Sequence, residues 1–168
     1  MTRLTRAAIE QMIDDRAALG VPELHLRGAD LAGLDLSGLD LHNANLREAN
    51  LERADLHESI LSGVDLIEAN LAGADLRNVD LYQANLSGAN LVDANLTFAH
   101  LGYTNLTAAL LRGANLTMID ARHADFSLAD LSNSNLRQAK LNNAILDQAD
   151  LTGAKLQGVI MPNGVKHA

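Results

Sequence analysis

Residues 44–58 read A-N-L-R-E-A-N-L-E-R-A-D-L-H-E, three copies of one five-residue unit, and the unit runs on in both directions. From Leu26 to Leu156 every fifth residue is leucine except Ala121 and Phe126, and Met161 closes the series, so 28 consecutive units follow one another without an insertion. The residue two before each central position is mostly alanine, and the one between them is mostly Asp or Asn. A repeat this regular decides the fold before any local propensity does.

Neither regular element accommodates a period of five. In an α-helix each step turns about 100°, so successive leucines are displaced by roughly 140° and no buried stripe forms. In a flat strand, side chains alternate faces, and leucines five apart point to opposite sides. What remains is a chain that turns a corner once per unit and sends every fifth side chain to a common axis. Four units then close a coil of twenty residues, and 28 units make seven coils. At a strand-like spacing of about 4.8 Å, the prism is roughly 34 Å long.

Ala44-Asn45-Leu46-Arg47-Glu48, Ala74-Asp75-Leu76-Arg77-Asn78 and Ala114-Asn115-Leu116-Thr117-Met118 resemble the A-(D/N)-L-x-x unit of the pentapeptide-repeat family, in its Leu-rich type abundant in cyanobacteria. The resemblance implies an all-β solenoid, a right-handed quadrilateral β-helix with the central residue and the one two before it inside. It also implies a non-catalytic structural or protein-protein interaction module. Some members of the family mimic a DNA duplex and bind type II topoisomerases such as gyrase, which is the alternative function.

The chain divides into residues 1–21 as a capping helix and linker, 22–162 as the β-helix, and 163–168 as a tail. Leu4 to Leu19 reads as an amphipathic helix with Leu4, Ala8, Ile9, Met12, Ile13 and Leu19 on one side. Thr2 or Thr5 suits its start and Gly20 its end, and Val21-Pro22 leads out extended. A solenoid end exposes apolar cross-section and unpaired backbone, so a helix here is expected to cover the first coil. Leu24, Leu34 and Leu39, where later coils carry alanine, predict a bulkier layer beneath it.

Within the repeats, Ile119 at an alanine position precedes Ala121 at a leucine position, a swap that conserves volume if both face inward. Nine of the twelve glycines fall two after the central residue, which predicts a corner with positive φ there. Units with Glu48, Asn78 or Met118 at that place are expected to use a different turn. The Asp and Asn before the central residue suit hydrogen bonds from their side chains to turn backbone.

The composition excludes several functions. There is no Cys, which removes disulfide and thiolate chemistry, and the aromatic content of 2% with no Trp suits a narrow prism filled by Leu and Ala. Residues 1–19 include Glu10, Asp14 and Asp15 and form neither a signal peptide nor a membrane span, which makes a cytoplasmic location the expectation. A filled prism without insertions offers no cleft, so no enzyme and no cofactor are expected. The net charge of −8 spreads over the four faces as −3, −3, −1 and −1. Duplex DNA carries one charge per roughly 1.7 Å, about 20 over this length. No direct nucleic-acid binding and no membrane association are expected.

Residues twenty apart stack in adjacent coils. On the face of Leu41 this gathers Tyr82, His100, Tyr103, Arg122 and His123, with Phe98 and Met118 one corner away, and this set is the candidate surface for an unidentified protein partner. Stacked aromatic ladders also stabilise β-coils, so the same residues admit a purely structural role. His100 and His123 alone do not make a metal site, which needs about three or four converging ligands. At the far end, Met161-Pro162-Asn163-Gly164 reads as a turn that stops the prism. Ile145 and Ile160 put apolar side chains where Asp or Asn is the rule, and with Met161 they form the candidate surface of a homodimer through the C-terminal coil.

Overall fold

A computed structural model describes residues 4–20 and 23–168. The expectations placed on Thr2 and on Val21-Pro22 lie outside the described residues.

The helix α1 spans Arg6–Leu19. Thr5 caps its start, its Oγ1 accepting a hydrogen bond from the Ala8 amide, and Gly20 ends it at φ 65°, its amide donating to the Arg16 carbonyl. Both choices follow from the orphan backbone groups at helix ends. Ile9 is fully buried in the core, and Leu4, Met12 and Ile13 pack against it. Leu19, expected on the same side, is 76% exposed. Within the last turn of the helix Arg16 still donates to the His42 carbonyl, and only the residues after it stand clear of the first coil. At the other end of α1, Arg6 reaches the Asp35 carboxylate at 2.8 Å and the Ser37 carbonyl at 3.1 Å.

From residue 25 onward the chain coils with a register of twenty. The residue before each central position pairs in parallel with its counterpart twenty later, from His25 with Asn45 through to Lys140 with Ile160. Each coil thus meets the next at single pairings, once per five-residue unit, and not through long strands. The central residues and those two before them form a continuous core, with the central leucines from Leu36 to Leu116 fully buried. Ile119, Ala121 and Phe126 are also fully buried, so the Ile119–Ala121 exchange of volume takes place inside the prism. In the first coil Leu24 and Leu39 are buried and Leu34 is partly so, packed against the core beneath α1.

The corners correct one expectation. Glu48, Asn78 and Met118 do not use a different turn: their φ values are 57°, 55° and 57°, as left-handed as Gly73 at 65°. Every residue two after a central position from Gly28 to Gly158 has positive φ, whatever its type. A residue with a Cβ pays about 1 kcal/mol or more for this conformation. In the coils before the last an offset comes from the neighbouring coil, because the amide of the same residue donates to a carbonyl nineteen residues on, at 2.9 Å from Glu48 to Ile67 and from Met118 to Arg137. Gln148 keeps φ 58° without such a bond among the described residues. The Asp and Asn side chains complete the corner, Asp65 Oδ1 accepting from the Ile67 amide and Asn90 Oδ1 from the Val92 amide.

The C-terminal coil differs from the rest. Leu146, Leu151 and Leu156 are only partly buried. After the turn the tail folds back: Ile160 pairs antiparallel with Lys166, Met161 donates to the Val165 carbonyl at 2.9 Å, and His167 donates to the Val159 carbonyl at 2.7 Å. Ile160 and Met161 are therefore half covered, while Ile145 remains 44% exposed. No helix among the described residues is long and apolar enough to cross a membrane.

Candidate functional site

The Leu41 face is built from units whose central residues are Leu81, Leu101 and Ala121. Parallel pairing of Asp80 with His100 and of His100 with Asp120 aligns three consecutive coils, so side chains next to these positions stack without adjustment. Tyr103 and His123 occupy successive corners at φ 57° and 61°, and their rings stack with centroids 4.7 Å apart and planes within 5°. Tyr82 meets Tyr103 edge to face at 5.6 Å, a geometry in which the positive ring edge faces the negative π-cloud.

This last contact depends on Gly102, which the sequence reading did not single out. Gly102 occupies the rung between Tyr82 and Arg122, and a Cβ there would lie 3.2 Å from Tyr82 Cδ2. The missing side chain lets the Tyr82 ring lie across that rung and reach the next corner. The signal was present in the sequence, since Gly102 is the one repeat glycine away from the corner position and has no positive φ to demand it. Asp120 was also missed. Its carboxylate takes two hydrogen bonds from Arg122, Nε to Oδ1 and Nη2 to Oδ2, each at 2.8 Å. Those bonds hold the Asp120 carboxyl below its ordinary value and raise the guanidinium in turn.

Together Tyr82, His100, Gly102, Tyr103, Asp120 and Arg122, with His123, line a concavity of about 270 Å³. Tyr82 and Tyr103 are 43% and 53% exposed. Phe98 and Met118 occupy the same corner of successive coils on the other margin of this face, and both are also largely exposed. The Leu41 face in coils four and five is thus flanked by Phe98 and Met118 on one corner and Tyr103 and His123 on the other. Its floor carries the Asp120–Arg122 pair. Chemically this arrangement offers π-faces and one fixed ion pair. Among the described residues no group of three or more His, Asp or Glu side chains converges on a metal position. Ile160 and Met161 continue the same face two coils further on, at its C-terminal end, whereas Ile145 lies on the Leu26 face.

Comparison with known proteins places these features in a family. A family model described as pentapeptide repeats matches residues 25–63, 59–97, 89–127 and 129–163. A crystal structure of HetL, a pentapeptide repeat protein involved in heterocyst differentiation regulation from the cyanobacterium Nostoc sp. strain PCC 7120, is 29% identical. It covers 92% of this chain and 98% of that one, with a TM-score of 0.37. Rfr23, a pentapeptide repeat protein from the cyanobacterium Cyanothece 51142, is 30% identical over 72% of this chain and 86% of that one, with a TM-score of 0.47. A trypsin-treated form of QnrB1, a plasmid-mediated fluoroquinolone resistance protein, is 21% identical over 79% and 81%, with a TM-score of 0.52, a likeness of fold. Comparison with curated proteins finds no match.

Proposed function

Because the chain belongs to the pentapeptide-repeat family, we propose that it is a non-catalytic protein-interaction module whose docking surface is the Leu41 face of coils three to five, displayed on a right-handed quadrilateral prism with residues 1–21 as its cap. The observation that carries this reading is the gathering of exposed rings around the gap at Gly102. Tyr82, Tyr103 and His123 line one concavity, with Phe98 at the opposite margin of the face, in a chain with an aromatic content of only 2%. Aromatic side chains with exposed faces are the residues that anchor protein interfaces. A ladder serving stability alone needs only vertical contacts. Tyr82 instead crosses the rung at Gly102 and leaves a concavity beside the Asp120–Arg122 pair.

Recovery of binding proteins by the intact chain and by a variant carrying Tyr82→Ala, Tyr103→Ala and His123→Ala tests the reading. Loss of one specific partner from the variant, with melting behaviour retained, supports it. Identical recovery reduces the patch to a ladder. The second reading, a duplex mimic directed at a type II topoisomerase, rests on the net charge of −8 and the rod form. A supercoiling assay with purified gyrase tests it, and no effect at large excess removes it.

A further inference from the structure

The charge of the prism is segregated along its axis. Residues 1–130 hold nineteen acidic and nine basic side chains, and residues 131–168 hold two acidic and four basic ones, including all three lysines of the chain. The partners differ as sharply as the counts. Among the described residues up to 130, every arginine except Arg112 is bound by a carboxylate or a carbonyl, as Arg27 is by Glu48 and Arg77 by Asp75. Arg137, Lys140, Lys155 and Lys166 make no ion pair and no side-chain hydrogen bond among the described residues.

Two of these cations, Arg137 and Lys166, meet at one place. Arg137, Gln138, Gln157, Gly158, Lys166 and His167, with Ala168 at the rim, line a concavity of about 450 Å³ where the Leu36 and Leu41 faces meet. Gly158 forms part of its wall, where a Cβ would be in ordinary contact range of Gln138 Cγ and Lys166 Cε. Lys155 precedes Gln157 on the same face, and Asp147 and Asp150, the acids of the last coil, belong to the other two faces. On the same end, the amides of Leu146, Gln148, Leu151, Gly153 and Leu156 have no acceptor among the described residues. Their counterparts one coil earlier, such as Leu131 and Leu136, donate to the following coil at 2.8 and 2.9 Å.

We propose that this end of the prism receives an extended acidic segment of a protein partner, whose carboxylates meet Arg137, Lys155 and Lys166 while its carbonyls accept from the row of free amides. Extended segments bind open β edges in this way, main chain giving affinity and side chains giving selection. The opposite occupant, a second copy docked end to end, would bring two sets of unpaired cations together, and like charges across an interface disfavour association. The site is separate from the Leu41-face surface of coils three to five, so the two readings fail independently.

The probe is a fluorescein-labelled hexaglutamate peptide, titrated into the intact chain at low salt by anisotropy, with hexaglutamine as the uncharged control. Saturable binding of hexaglutamate alone is expected, weakened about tenfold or more in a variant carrying Arg137→Glu, Lys155→Glu and Lys166→Glu. The variant Arg112→Glu removes the other unpaired arginine, and its affinity is expected to stay unchanged. In two-dimensional NMR the amide signals of Leu151 and Leu156 are expected to shift on binding. Equal weakening by Arg112→Glu overturns the proposal, as does equal binding of hexaglutamine or absence of shifts at those amides. Displacement of the peptide by inorganic phosphate at matched charge assigns the site to small anions and overturns it too. A dimeric mass in light scattering that persists in the charge-reversed variant gives the end to a second copy.

Discussion

The two ends of the prism solve the same physical problem differently. At the first coil, α1 lays Ile9 into the core, and Arg6 and Arg16 bind it down to Asp35, Ser37 and His42. At the last coil, the tail pairs along one side, through Gly158, Val159, Ile160 and Met161, and the amides of Leu146, Gln148, Leu151, Gly153 and Leu156 have no acceptor among the described residues. A solenoid must cover both its apolar cross-section and its open backbone edge. A helix covers the cross-section and leaves most edge groups to water. A returning strand satisfies edge groups and covers little area, which is why Leu146, Leu151 and Leu156 stay partly exposed.

Four measurements sharpen or break this contrast. The largest effect lies in hydrogen exchange: the Leu131 amide, bonded at 2.8 Å to the Asp150 carbonyl, is expected to exchange about 1000-fold more slowly than the unpartnered Leu151 amide. Similar rates would mean that the last coil is covered. Next, Ile9→Ala is expected to cost about 2–4 kcal/mol in chemical denaturation, whereas Leu151→Ala, at a half-exposed site, should cost about 1 kcal/mol. Equal costs would remove the difference between the ends.

A smaller effect falls close to the open end. The Ser134 hydroxyl is fully buried and has no hydrogen-bond partner among the described residues, unlike Ser59, whose Oγ donates to the Leu56 carbonyl at 2.7 Å. Ser134→Ala is therefore expected to raise stability by about 1 kcal/mol, and Ser59→Ala to leave it unchanged or lower it. The smallest effect belongs to the acidic half. The Asp55 carboxylate, hydrogen-bonded to His57 at 2.7 Å, raises the imidazole above its ordinary value. A raised value means that His57 adds stability below the ordinary imidazole range, and that this is lost as the pH climbs through the raised value. An NMR titration is expected to show His57 titrating high in the intact chain and returning to the ordinary range in Asp55→Asn.

Much of this was legible in the sequence, and the misses have a common origin. The stacking of Tyr103 on His123 follows from a spacing of twenty, and the burial of Ile119 and Ala121 from their place in the unit. The gap at Gly102 was not read because its position is filled elsewhere by many residue types, and the Asp120–Arg122 pair because an Asp or Asn there serves the turn in most units, although Asp75 and Arg77 form the same pair. The exposure of Leu19 was missed because amphipathic spacing says which side of a helix is apolar and not how far its partner extends.

The five-residue period determined, without coordinates, which side chains lie inside, where the corners fall and which residues become vertical neighbours. These are properties of a chain that repeats one local geometry, so they survive any change in the outward residues. Only the tertiary structure decided that Glu48, Phe98 and Met118 adopt the same left-handed corner as glycine, since the hydrogen bond that offsets their strain comes from a coil nineteen residues away. It also decided that the tail returns along one side of the last coil while the cations of that end stand unpaired. Both outcomes depend on which backbone groups are still free when the coils run out, and the repeat, being the same everywhere, does not carry that information.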